Sequence, residues 1–177
     1  MAYFSHGDVK QKLMLLYFLN EIGFALPRGR LYTIFAEQGW MEYFDFQSNL
    51  TQLEEDAHVA AVPCAFGQGY CVTPHGQDAL ALFKNELPHS IKEKLSQYAG
   101  LNKTALKSDT QFSATQSPMP DGGALVILRL MDNNAQILTI SLQTPGAAFA
   151  QRAAANWPKE AGGIYREILN RLLPDNE

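Results

Sequence analysis

One junction constrains this chain more than any other stretch: Tyr70-Cys71-Val72-Thr73-Pro74-His75-Gly76-Gln77-Asp78-Ala79-Leu80. Tyr70 and Val72 alternate as on a strand, and Thr73 followed by Pro74 opens a helix, because threonine caps and proline tolerates the first turn. A strand must therefore pass straight into a helix that carries Ala79, Leu80, Leu82 and Phe83. Upstream, Val59–Phe66 and Gly69–Thr73 read as two strands around Phe66-Gly67-Gln68-Gly69, whose glycines suit the positive φ of a tight hairpin.

Three helices precede the hairpin. Asp8 to Ile22 repeats Val9, Leu13, Leu16 and Leu19 at helical spacing, with Asp8 as cap and Gly23 as stop. Arg28 to Gln38 follows Pro27, buries Leu31, Ile34 and Phe35, and closes at Gly39. The third helix starts near Asp45 and puts Phe46, Leu50 and Leu53 on one face. Helix–helix–helix–hairpin is the order of a winged helix, in which the third helix is the recognition helix and the hairpin is the wing.

Beyond Pro88 the pattern changes. Ser90 opens a helix with Ile91, Leu95, Tyr98 and Leu101, and Thr104 to Ser117 loses helical periodicity. Gln111–Gln116, Ala124–Met131 and Ala135–Gln143 form an antiparallel meander bounded by Asp121-Gly122-Gly123 and Asp132-Asn133-Asn134. Val126, Leu128, Leu130, Leu138, Ile140 and Leu142 share a face that Phe149, Trp157, Ile164, Ile168 and Leu172 can cover; Leu125, Ile127, Met131, Arg129, Thr139 and Ser141 share the other. Gly146–Leu173 is helical with a break at Trp157-Pro158. The expected fold is α+β: a winged helix-turn-helix over 1–87, then an α+β domain over 88–177 with a linking helix, a three-stranded antiparallel sheet and C-terminal helices.

The junction at Tyr70–Leu80 resembles the wing-to-helix signature of PadR and MarR regulators. A longer likeness runs through Lys12–Leu19, Met41-Glu42-Tyr43-Phe44 with Gln47, Leu50 and Leu53, then Asn156-Trp157 and Ile164-Tyr165. Over almost its full length the chain resembles a bacterial family catalogued as domain of unknown function 4364. That resemblance implies a winged helix with a regulatory role. Ala57 departs from the family pattern, which favours glycine where the third helix stops.

Charge tempers the DNA-binding expectation. The chain has a net charge of −4, and all of that imbalance falls within residues 1–73, where Lys10, Lys12, Arg28 and Arg30 face eight carboxylates. On the third helix Gln47, Ser48, Thr51, Gln52 and Glu55 point outward, and glutamine, serine and threonine are competent readers of base edges. Phosphate contacts are scarce: Arg28 and Arg30 are well placed and the wing tip has no cation, while Lys84, Lys92, Lys94, Lys103 and Lys107 restore such contacts if the long helix lies near the duplex and otherwise form a solvated helix face. The expected DNA-binding residues are thus Arg28, Arg30, Gln47, Ser48, Thr51 and Gln52. The competing class is a winged-helix interaction or dimerisation module that leaves DNA alone.

Other chemistry is thin. His58, Cys64, Cys71 and His75 surround the hairpin, and Cys64 lies opposite Cys71 if Gly67-Gln68 is the turn, which permits a redox-sensitive disulfide or a zinc site; but such a hydrogen-bonded pair disfavours bridging and the spacing matches no common zinc pattern. Buried thiols are the expectation, with no metal and no cofactor. No Gly-rich phosphate loop, nucleophile elbow or metalloprotease helix occurs, so no enzyme is expected. Tyr3, Phe4, Tyr17, Phe18, Phe24, Tyr43 and Phe44 are assigned to the core. Two cysteines and the lack of an apolar run of spanning length suggest a cytoplasmic protein. The mixed second face of the C-terminal sheet suggests a homodimer joined through residues 88–143, the alternative being a monomer in which Ile91–Leu101 folds back over that face. No effector can be read.

Overall fold

The computed structural model describes residues 6–65, 67–132 and 135–173, with side chains from Val9 onward. The roles expected of Tyr3, Phe4, Phe66, Asn133 and Asn134 lie outside these residues. The architecture is α+β, with six α-helices and two three-stranded antiparallel sheets among the described residues. Contacts divide the chain after Lys107 into two units.

The first unit begins with α1 (His6–Ile22), whose Leu13, Met14, Leu15, Leu16, Phe18, Leu19 and Ile22 are all buried. A helix apolar nearly all round must sit inside its unit, and α1 packs on α3, α4 and β3. It starts at His6, so Asp8 lies within the helix rather than capping it. β1 (Leu26–Pro27) follows, a two-residue strand too short for any periodicity to announce. α2 (Arg28–Glu37) and α3 (Tyr43–Glu55) come next, then β2 (Val59–Cys64), β3 (Gly67–Val72) and α4 (Pro74–Phe83). α3 begins before Asp45, with Glu42 at its N-cap, so Asp45 sits in its first turn. The sheet order is β1-β3-β2, which leaves Pro63 on an edge strand, where a missing N–H is tolerated.

The hairpin register corrects the expected turn. Cys64 pairs with Gly67 and Cys71 with Ala60, so Gly67-Gln68 lies in β3. Gly67 does take a positive φ of 108°. Gly69 does not; it admits Ala25 and Leu26, since a Cβ there would meet the Ala25 Cβ at 3.1 Å and the backbone carbonyl carbons of Leu26 and Ala25 at 3.2 and 3.3 Å.

α5 (His89–Gln111) runs on through Thr104, where helical periodicity was expected to fade. Leu106 explains the continuation: it is buried in the same cluster as Leu95, Ala99 and the α1–α3 core. By contact, α5 up to Lys107 counts with the first unit, whereas the sequence reading starts a second domain at 88.

The second unit contains β4 (Phe112–Pro118), β5 (Ala124–Asp132), β6 (Ala135–Thr144) and α6 (Ala147–Leu172), with β5 central. Ala124, Val126, Leu128 and Leu130 are buried with Ala150, Trp157 and Ala161 of α6. Phe149 and Leu172, expected to cover this face, are exposed, as is Leu142 at its edge; small alanines make the close contact instead. α6 also passes through Pro158 without ending. An alanine-rich stretch precedes the proline, and Trp157 is anchored by an indole Nε1 that donates to Arg129 O at 2.8 Å, so the helix survives one lost backbone bond.

Candidate nucleic-acid interface

α3 owes its position to its inner side. Phe46, Leu50 and Leu53 are buried against α1, and Asn49, only 3% exposed, completes that face. Its Nδ2 donates to Gln11 Oε1 at 2.9 Å and to Asp45 O at 2.8 Å, while Gln11 Nε2 donates to Asp45 Oδ2 at 3.1 Å. This amide link between α1 and α3 was not anticipated. Its only trace in the sequence is the helical phase that puts Asn49 beside Phe46 and Leu53.

Two backbone clasps set where α3 stops. Ala57 N donates to Glu54 O at 3.0 Å and His58 N to Leu53 O at 2.9 Å, with Ala57 at φ 57°, a Schellman stop built on alanine. α2 ends in the same way on Gly39, at φ 63°. The deviation at Ala57 therefore leaves the stop in place and adds left-handed strain. Thr73 then fastens α4 beside it. Its Oγ1 accepts from Gly76 N at 3.0 Å and donates to Ala57 O at 2.6 Å, and its N–H donates to His58 O at 3.0 Å. Gly76 passes so close that a Cβ would overlap the His58 carbonyl oxygen.

On the outer side, Ser48, Thr51 and Glu55 are exposed, and Gln47 and Gln52 are half-buried. Arg28, the first residue of α2, is half-buried and donates from Nη2 to Thr51 Oγ1 at 3.0 Å. Its guanidinium lies 5.9 Å from the Tyr70 ring centroid, and its Nε is buried with no hydrogen-bond partner among the described residues. Burial and the nearby Glu54 carboxylate push the Tyr70 hydroxyl pKa up, with Arg28 opposing. Arg30 is exposed. The fold thus joins two expected contact residues, Arg28 and Thr51, to each other. α2 starts behind Pro27 with no side-chain cap, so its first N–H groups are not taken by a capping side chain. Of the α5 lysines, Lys103 does different work: its Nζ donates to Glu21 O at 3.1 Å, near the C-terminal end of α1.

Tyr43 and Phe44 depart furthest from expectation. They are not core: Phe44 is 83% exposed and Tyr43 is exposed beside it. Their rings meet edge-on at 5.6 Å, and Tyr43 stands edge-on to Tyr32 at 5.1 Å, which in turn touches buried Phe46 at 5.3 Å. Phe18 is buried and Tyr17 and Phe24 half-buried, as core packing requires.

The cysteines are not opposed. Cys71 lies four positions along β3 from Gly67, the partner of Cys64, roughly 13 Å of strand and well beyond disulfide reach. Cys64 is buried, and burial pushes the Cys71 thiol pKa up. His58 and His75 stack at 4.7 Å and 10°. Burial, then the neighbouring His75, lowers the pKa of His58, whose Nδ1 is buried without a hydrogen-bond partner among the described residues. No cluster of three or more His, Cys, Asp or Glu residues suited to a metal occurs among the described residues. A groove of about 830 Å³ is lined by Val9, Leu13, Leu16, Leu53, Ala79 and Phe83, with Lys10, Lys12, Asp56 and His58 also on its walls. No helix among the described residues is long and apolar enough to cross a membrane.

A family model described as Domain of unknown function (DUF4364) matches residues 11–172, and the chain belongs to that family. Comparison with curated proteins gives no match, nor does comparison with solved structures.

Proposed function

We propose that this DUF4364 chain is a non-catalytic winged-helix transcription regulator that binds duplex DNA through α3. The observation that carries the reading is the chain order α1-β1-α2-α3-β2-β3 with sheet order β1-β3-β2, which leaves the outer side of α3 without a role in its own core. In a winged helix that side enters the major groove and the β2–β3 hairpin lies alongside as the wing. Ser48, Gln47, Thr51 and Gln52 supply donors and acceptors for base edges. Arg30 and the first amides of α2 supply phosphate contacts, and Arg28 holds Thr51 in one orientation. The groove between α1 and α4 has the size a small effector needs.

Few cations mean weak binding. The protein is expected to retain duplex DNA at ~50 mM salt and to lose most of it by ~200 mM. Sequencing of DNA recovered with the native protein at low salt tests the reading, and recovery of no DNA overturns it. Retention unchanged in the Arg28→Ala/Arg30→Ala variant removes Arg30 as a phosphate contact and Arg28 as the support of Thr51. Within this proposal the regulator is a homodimer joined through residues 88–143, because two recognition helices commonly read two half-sites. A monomer mass by light scattering across a wide concentration range removes the dimer.

A second reading has its own support. Every charged residue on α3 is acidic (Asp45, Glu54 and Glu55), with Glu42 and Asp56 at its ends. An acidic outer helix favours a protein partner over a polyanion. Under this reading no duplex is retained at any salt.

A further inference from the structure

We infer that Phe44 is a specificity residue that touches the C5-methyl group of thymine in the major groove, so that the chain prefers A·T-containing duplex at the position its first α3 turn reaches. The inference rests on the DNA-binding reading above. Phe44 lies nine residues before Leu53, half a helical turn out of phase at about 100° per residue, and so stands opposite the buried side of α3. Ser48 and Thr51 follow it at i+4 and i+7, which makes Phe44 the N-terminal member of the outermost stripe. N-terminal residues of a recognition helix are those that reach base edges, and the thymine methyl is the one apolar group the major groove presents.

The ring is held for this use. The series of ring contacts Phe46, Tyr32, Tyr43, Phe44, tilted at its first pair and edge-on at the other two, leads from the core to the surface, so Phe44 projects from a supported neighbour. Asp45, the carboxylate beside it, already accepts from Gln11 Nε2. Glu42 and Asp45 are carboxylates, so the phosphate contacts fall to the start of α2 and not to this end of α3.

The test is a competition between two pools of random duplexes, one made with thymine and one with uracil in its place, incubated together with the full chain at low salt. Nucleoside analysis of the retained DNA is expected to show thymine enriched about fourfold, the value of one buried methyl-sized group. Phe44→Ala should retain DNA with no enrichment, which also controls for the effect of the methyl on duplex shape, and Phe44→Met should keep part of it. DNA retained without enrichment by the wild-type chain overturns this inference and leaves the DNA-binding reading standing. Enrichment that persists in Phe44→Ala overturns it too, since another group then reads the methyl. Retention of neither pool overturns the DNA-binding reading and this inference with it. Loss of self-association in Phe44→Ala, with DNA binding unchanged, assigns the ring to a second copy and overturns the thymine contact.

Discussion

The two units hold their sheets by different means. In the first, strands of two to six residues are fixed at a few points where backbones touch: Gly69 against Ala25 and Leu26, Gly76 against the His58 carbonyl, Thr73 bonded to Ala57 and His58. In the second, strands of seven to ten residues rely on alternation, with one face of β5 covered by α6 and pinned by Trp157. The first sheet is specified by the absence of side chains, the second by their presence. Substitutions should therefore fail in opposite senses in the two units.

The largest effect is expected in the second unit. Trp157→Ala removes a side chain only 2% exposed together with its bond to Arg129, and should cost about 3–5 kcal/mol in urea unfolding followed by circular dichroism. Next comes Gly76→Ala, where one added methyl group meets a carbonyl and should cost about 3 kcal/mol. Its counterpart in the second unit is Gly162→Ala in α6, which meets nothing within 4 Å and should stabilise by about 1 kcal/mol. Equal effects of the two alanines in urea midpoints would erase the contrast. Ala57→Gly should raise stability by about 0.5–1 kcal/mol, because it matches the stop of α3 to that of α2 at Gly39.

The smallest effect concerns pH. With the pKa of His58 lowered in the folded state, the unfolded chain takes up its proton first as pH falls. Stability is then complete above about pH 6.5 and declines as pH drops from there through the folded value. His58→Asn should flatten that slope between pH 7.5 and 5.5, and an unchanged slope would show that the stacked pair is indifferent to charge.

The core was legible where periodicity was strong. Leu13-Leu16-Leu19, Leu31-Ile34-Phe35, Phe46-Leu50-Leu53 and Val126-Leu128-Leu130 are buried as their spacing requires. Contacts without a period were not legible. β1 is too short to carry one, the hairpin register depends on which pair of residues turns, and Pro158 looked like a break because only the packing of Trp157 outweighs it. Among the candidate site residues, Ser48 and Thr51 are exposed as the helical phase of α3 dictates. The Arg28–Thr51 bond was hidden because it joins two helices across 23 residues. Phe44 was misassigned because an aromatic ring usually lies inside, and the neighbouring rings that hold it outside are visible only once α2 and α3 are packed.

Trp40 and Trp157 are the only two tryptophans, and they fall one in each unit. Trp40 is half-buried among the rings of Phe18, Phe35 and Tyr98; Trp157 is buried with its indole N–H bonded. Each half of the chain thus carries its own optical reporter. Replacing either indole with phenylalanine leaves an emission spectrum that watches a single unit melt, and it needs no label.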